Sequence, residues 1–258
     1  MANVPKVWMQ EALKAPHDQP DKARRVRQMF EEIAPRYQLV NTVFSGGRDA
    51  YWRRKTVELA AVRDDDDVLD IACGTGGLAR AFAKAAPRSV AGVDFAHRML
   101  LRATQSNARR RRSQNPEGRP TPCRWCEADA LHLPFDAASF SIASCAFGVR
   151  NFQDLDVGLA EMFRVLRSGG RAVILEFARP PQRMVRRVYE FYASRVMPLG
   201  ATWLSGDRSG AYRYLPRSVV SFLTTDQMCA RLNDAGFAHT TATPLTFGVV
   251  TVYVARKN

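Results

Sequence analysis

Hydrophobic positions change rhythm along the chain. From Asp21 to about Val62 they recur at helical spacing, with Val26, Met29, Phe30 and Ile33 in step, and the Ala34–Pro35 pair breaks the run. The turn Ser45–Gly46–Gly47 leads into a second helix over Tyr51–Ala61. From residue 66, short apolar runs alternate with helical stretches. Strands are predicted at Asp67–Ala72, Ser89–Asp94, Arg124–Ala128, Phe140–Ala146 and Arg171–Phe177. Helices at Leu78–Ala86, Arg98–Asn107 and Leu155–Leu166 fall among them, the last closed by Ser168–Gly169–Gly170. A helix over Thr225–Ala235 and two strands, Ala238–Thr243 and Val249–Ala255, finish the chain.

This βαβ alternation predicts an α/β fold with a doubly wound, mostly parallel sheet and a ligand at the strand C-termini. The last two strands lie too close in sequence for a crossover helix, so they form an antiparallel hairpin at the sheet edge. The expected architecture is a seven-stranded Rossmann-like sheet with one antiparallel edge strand. Residues 1–20, with Pro5, Pro16 and Pro20 and little apolar periodicity, read as a mobile arm. Residues 21–258 read as one domain, with a helical cap over 21–62 and a lid insertion over 178–222. Tyr189, Phe191, Tyr192, Trp203, Tyr212 and Tyr214 mark the lid, and Tyr212 and Tyr214 are the candidate substrate-binding residues.

The segment from Asp70 to Ala79 joins the first strand of the sheet to its first helix through Gly74-Thr75-Gly76-Gly77. Glycines at such a turn let backbone approach a ligand without obstruction. The loop alone also satisfies a loose dinucleotide pattern. Three carboxylates narrow the choice. Asp70 stands inside the strand, where it can steady the loop and approach a cationic amino-acid group. Asp94 ends the second strand, placed to accept both hydroxyls of a ribose. Asp129-Ala130 follows the third strand, at the adenine. A nicotinamide enzyme would use the first two devices but not predictably the third. The cofactor read from this set is S-adenosylmethionine, bound by Asp70, Gly74, Gly76, Asp94, Asp129 and Ala130, and one reversed edge strand suits a methyltransferase sheet.

Composition adds limits. The 258 residues are 46% hydrophobic and 24% charged, which fits a soluble domain with a full core and excludes disorder as the main state. No run approaches a membrane span, and residues 1–20 lack a basic patch followed by an apolar core, so the cytoplasm is the expected location. Cys123 and Cys126 form a lone C-x-x-C; with five cysteines, and four histidines that are not closely paired, no metal site is expected. The net charge of +13 is concentrated. Residues 98–124 carry eight arginines against Glu117, and residues 179–217 eight against Glu190 and Asp207. Such segments suit phospholipid head groups, nucleic acid or an acidic ligand; a solvated face is the plainer reading of Arg109–Arg112.

Several blocks stand out over roughly residues 24–257. Ala34-Pro35-Arg36-Tyr37, Ser45-x-Gly47 and Trp52-Arg53-Arg54 lie near the start. Val68 to Gly76 and Ala128-Asp129-Ala130 with Leu133-Pro134-Phe135 lie in the core. Phe147-Gly148-Val149-Arg150-Asn151 is the most specific block, joined by Tyr212-x-Tyr214-Leu215-Pro216 and Leu245-Thr246-x-Gly248-Val249-Val250. In these blocks the chain resembles a known family, the C-methyltransferases of ubiquinone and menaquinone biosynthesis. The chain departs from the pattern at Asp49-Ala50, where His-Arg is usual, at Gly77, where an acid is frequent, and at Ala146, where serine is usual.

The resemblance implies a class I S-adenosylmethionine-dependent enzyme that methylates a ring carbon of a prenylated quinol, with cofactor contacts from Thr75, Asp94 and Asp129-Ala130. Arg150 and Asn151 are the candidate catalytic pair, stabilising a developing phenolate; the plainer alternative makes them a loop anchor. His132 is a competing base candidate. A lipophilic quinol further implies peripheral contact with an anionic membrane, on its inner face, and no nucleic-acid partner. The alternatives are O- or N-methylation of another aromatic small molecule and, after that, an RNA methyltransferase.

Overall fold

A computed structural model describes residues 7–113, 120–192, 195 and 210–258. Three helices form the cap: α1 (Lys22–Ile33), α2 (Tyr37–Phe44) and α3 (Arg48–Ala60). The sheet then alternates with helices: β1 (Asp67–Ile71), α4 (Gly77–Ala83), β2 (Ser89–Asp94), α5 (His97–Ser113), β3 (Cys123–Glu127), β4 (Phe140–Ala146), α6 (Leu155–Val165) and β5 (Leu166–Phe177). In the expected lid lie α7 (Arg183–Phe191) and α8 (Ala211–Val220), followed by α9 (Thr225–Asp234), β6 (Ala238–Leu245) and β7 (Val250–Arg256).

The seven strands follow the order β3-β2-β1-β4-β5-β7-β6. The first five are parallel; β7 runs antiparallel to both β5 and β6, so the closing hairpin makes that edge. The chain reverses its winding between β1 and β4, and a sheet of this kind opens its ligand crevice at that switch point. Asp70 on β1 stands in register with Gly92 of β2 and Ser144 of β4, directly under this crevice.

Strands buried on both faces explain the continuous apolar runs of the sequence. Leu69, Ile71, Val93, Cys145 and Ile174 join α6 and α9 in one core, while Val68, Val90, Ile142 and Val173 face α3 and α4 in another. A third cluster was not legible as a core. It joins Val7, Trp8 and Leu13 to Val26 and Met29 of α1, Met99 of α5, and Tyr212 and Tyr214 of α8. The expectation of a mobile arm is corrected from residue 7 onward. Trp8 stacks on Tyr214 with ring centroids 4.0 Å apart, and the His17 ring lies 2.9 Å from the Ser218 carbonyl oxygen. Residues 1–6 lie outside the described residues.

The insertion holds more regular structure than its mixed sequence predicts. Helix α8 buries Ala211, Tyr212, Tyr214 and Val219. Helix α7 has no buried residue. Trp203 and Arg208, and the side chains of Arg109–Arg112, lie outside the described residues. No helix among the described residues is long and apolar enough to cross a membrane.

Candidate active site

The loop after β1 takes its shape from glycine. Gly74 and Gly76 have φ of +55° and +75°, a region that costs an ordinary residue about 1–2 kcal/mol. At Gly76 a Cβ would also meet the Trp125 ring at 2.4 Å, so the indole of β3 packs directly beneath the loop. Asp70 secures the loop from below. Its Oδ2 accepts from the Ala79 amide in the first turn of α4 at 2.9 Å, and its Oδ1 from Ser144 Oγ at 3.1 Å. Both oxygens are therefore engaged by protein, which makes Asp70 first a brace for the turn.

Asp94 closes the other side. Its carboxylate accepts from the Gly74 amide at 2.7 Å and the Ala96 amide at 2.9 Å, fixing the end of β2 against the loop. Burial pushes the Asp70 carboxyl up to about 7 and that of Asp94 up to about 6. Thr75 Oγ1 donates to Gln38 Oε1 at 3.1 Å, linking the loop to cap helix α2. Asp129 is exposed, with Oδ1 accepting from the Leu131 amide at 3.0 Å.

Three cavities meet here. One runs past Asp94, Phe95, Met99, Asp129 and Ala130 and reaches Asn151 and Phe152. A second lies over the glycine loop between Arg53, Asp70, Thr75 and Gly77. The third, of about 230 Å³, extends under the lid and is walled by Phe44, Trp52, Phe177, Tyr189 and Tyr192, with Arg150 on its side. Tyr37 and Phe147 border all three. Phe147 holds this position with φ of +57°, and its ring packs 4.6 Å from Phe177 and 6.1 Å from Trp52. The three form an aromatic corner at the junction.

The residues fit S-adenosylmethionine. A largely apolar cavity bordered by the buried carboxylate of Asp94 and by the exposed one of Asp129 suits adenosine. The loop cavity carries one cation and one anion, as an amino-acid end requires. If hydroxyl groups of the ligand donate to Asp94, they bind its ionised form. Affinity for S-adenosylhomocysteine should then rise as pH passes through about 6 and level off above, falling about tenfold for each unit below. Calorimetry from pH 5 to pH 8 checks this, and Asp94→Asn, which keeps Asp70, should give a flatter profile.

The structure separates Arg150 from Asn151, which the sequence pairs in one task. Both lie on a 3-10 turn, Val149–Asn151, after β4. Arg150 borders the third cavity and Asn151 the first. Arg150 is 3% exposed; its Nη1 donates to Glu176 Oε1 at 2.7 Å and to the Phe147 carbonyl at 2.6 Å, and its guanidinium lies 5.5 Å from the Phe177 ring centre. Burial opposes its charge, but Glu176, Tyr214 and Tyr37 hold its pKa above the ordinary value, so it is a fixed cation and not a base. Asn151 Nδ2 donates to the Phe147 carbonyl at 3.2 Å, and its Oδ1 accepts from Tyr214 at 2.9 Å.

Tyr212 and Tyr214 do not line the third cavity. They face the core with Trp8, and the α8 wall of that cavity is Leu215, Pro216 and Val219. The lid tyrosines on the wall are Tyr189 and Tyr192. His132 is exposed and borders none of the three cavities. Sequence reasoning missed Glu176 as the partner of Arg150. The available signal is a lone charge inside the apolar run Val173-Ile174-Leu175-Glu176-Phe177, which burial obliges to find a partner. Ala146, where the resembled family usually carries serine, lines both the first cavity and the loop cavity.

Comparison with known proteins agrees with this geometry. The model of the ubiE/COQ5 methyltransferase family matches residues 18–257. The chain is 44% identical over 230 residues to a demethylmenaquinone methyltransferase of Thermus thermophilus, covering 89% of this chain and 100% of that protein. It is 40% identical over 240 residues to the ubiquinone/menaquinone biosynthesis C-methyltransferase UbiE of Geobacter sulfurreducens, covering 92% and 90%. Among solved structures, a SAM-dependent methyltransferase from Thermotoga maritima shares the fold with a TM-score of 0.62 at 18% identity, over 90% of this chain and 99% of that one.

Proposed function

The chain belongs to the ubiE/COQ5 methyltransferase family, and from that premise we propose that it methylates a ring carbon of a prenylated quinol in quinone biosynthesis, with S-adenosylmethionine as methyl donor. The observation that carries the acceptor reading is the third cavity. It is aromatic on several sides, shares Phe147 and Tyr37 with both cofactor cavities, and is bordered by residues of the lid. A flat phenolic ring stacked there would lie beside the donor's path, and orientation of this kind can supply much of the rate.

When bound, the cofactor supplies an electrophilic methyl group. The protein's part is to orient the ring, exclude water and manage charge. Trp52, Phe147 and Phe177 hold the ring plane; the Trp52 indole is itself fixed by donating to Thr246 Oγ1 at 2.7 Å. Arg150, kept charged and immobile by Glu176, stabilises negative charge developing on a phenolic oxygen. Asp49 is the one carboxylate among the described residues on this wall, and we assign it the phenolic proton. Once the methyl group is on the ring, the hydrogen of that ring carbon moves as a proton to the phenolic oxygen, restoring the aromatic quinol, and the proton held by Asp49 passes to water. Incubation with labelled S-adenosylmethionine and reduced demethylated prenyl-naphthoquinol, prenyl-benzoquinol or bulk RNA tests the reading. Label is expected in a quinol; label in RNA alone would overturn it.

A lipophilic acceptor also needs a route from the bilayer, and α7 supports one. Met184, Val188 and Phe191 stand 78%, 65% and 62% exposed at positions i, i+4 and i+7, flanked by exposed Arg183 and Arg187. Tyr189 on the same helix walls the acceptor cavity. An apolar stripe beside arginines is the pattern of a helix that lies in a membrane interface. Flotation with anionic vesicles should carry the protein, and replacing Met184, Val188 and Phe191 with serine should release it. Equal flotation on neutral vesicles would remove the electrostatic part of the proposal.

A further inference from the structure

Among the described residues, Arg53 is the cation that borders both the loop cavity and the acceptor cavity. Its position is set from two sides. Asp49, one turn earlier on α3, accepts from Arg53 Nη1 at 2.7 Å, and its side chain is only 6% exposed. Gln38 Nε2 and Ser45 Oγ reach Asp49 more loosely, each at 3.4 Å. Gln38 also accepts from Thr75 Oγ1, so the network runs from α3 to the glycine loop. On the loop side, Gly77 leaves room for the guanidinium. A Cβ there would stand 2.9 Å from Arg53 Nε and 3.0 Å from its Cζ.

The remaining N–H groups of Arg53 are therefore held over the loop, in the cavity that Asp70 and Thr75 also border. A planar guanidinium held in this way by a carboxylate at one nitrogen suits a second carboxylate as ligand. The adenosine cavity offers no lysine or arginine for that task among the residues bordering it. We infer that Arg53, positioned by Asp49 and seated on Gly77, binds the carboxylate of the cofactor's amino-acid end. The inference rests on S-adenosylmethionine as cofactor and is independent of the acceptor.

Calorimetry with two ligands isolates the contact. S-adenosylhomocysteine carries the amino-acid carboxylate, whereas 5′-methylthioadenosine keeps the adenosine and thioether without it. Arg53→Met should weaken the first by at least about tenfold and leave the second within about twofold, since charged hydrogen bonds of this kind are the strong class. Arg53→Lys should recover part of the loss. Gly77→Ala and Asp49→Asn, which disturb the guanidinium without removing it, should show the same selectivity at smaller magnitude. Unchanged S-adenosylhomocysteine affinity in Arg53→Met would overturn the inference, as would an equal loss for both ligands. Neither ligand contains the methyl acceptor. A failure here thus leaves the quinol reading standing, and a failure to methylate any quinol leaves this result intact.

Discussion

Replacing Glu176 with alanine is expected to destabilise the protein by about 3–5 kcal/mol, because it leaves the Arg150 guanidinium buried without its counter-charge. The pair is almost wholly enclosed, at 3% and 1% side-chain exposure, with 2.7 Å between Nη1 and Oε1. Glu176 also accepts from its neighbouring Phe177 amide at 2.8 Å, so the same substitution frees a backbone donor at the end of β5. Arg150→Met with Glu176→Leu should recover much of that stability, since apolar replacements of both partners avoid the unpaired charge. The double variant should not recover methyl transfer, because the cation beside the acceptor cavity is gone. Urea unfolding and turnover on the same samples separate the two roles. Full activity in the double variant would mean that Arg150 is only an anchor for the turn.

Asp94→Ala should raise the dissociation constant for S-adenosylhomocysteine by at least about 100-fold. Its carboxylate accepts from the Gly74 and Ala96 amides, at 2.7 Å and 2.9 Å, and its removal orphans both. Hydrogen bonds to a charged group contribute about 1.5–3 kcal/mol each, so losing the loop restraint together with the proposed ribose contacts exceeds the two tenfold steps required. Asp94→Asn keeps one acceptor oxygen and should fall between. A change under about fivefold in the alanine variant would place the ribose elsewhere. Unfolding measured without ligand distinguishes loss of binding from loss of fold.

The sheet and the glycine loop were legible because their causes are local. Buried parallel strands show as apolar runs, Gly74 and Gly76 occupy left-handed backbone, and Asp94, ending β2 next to β1, accepts from the loop's own Gly74 amide. What escaped depends on contacts distant in sequence. Trp8 reads as part of a mobile arm because its partner, Tyr214, lies some two hundred residues away in the insertion, and without that contact Tyr214 reads as a lid residue facing substrate. The capping helix α2 does not stand out in the sequence because its eight residues, Tyr37–Phe44, carry too little periodicity. Arg150 and Asn151 are adjacent in sequence, but the tight turn that holds them sends one side chain to each cavity. The departures at Asp49 and Gly77 looked unrelated in sequence; in the fold both touch Arg53.

The position of the transferred methyl group tests the central claim most directly. S-adenosylmethionine with an isotope-labelled methyl is incubated with the enzyme and a reduced demethylated prenyl-naphthoquinol or prenyl-benzoquinol, and the product is resolved by nuclear magnetic resonance. The arrangement of the aromatic corner, Arg150 and the shared cavity junction predicts an aryl methyl on a ring carbon, with the signal strongly reduced in Arg150→Met. A methoxy signal, or no labelled quinol from an enzyme that binds S-adenosylhomocysteine tightly, would contradict it.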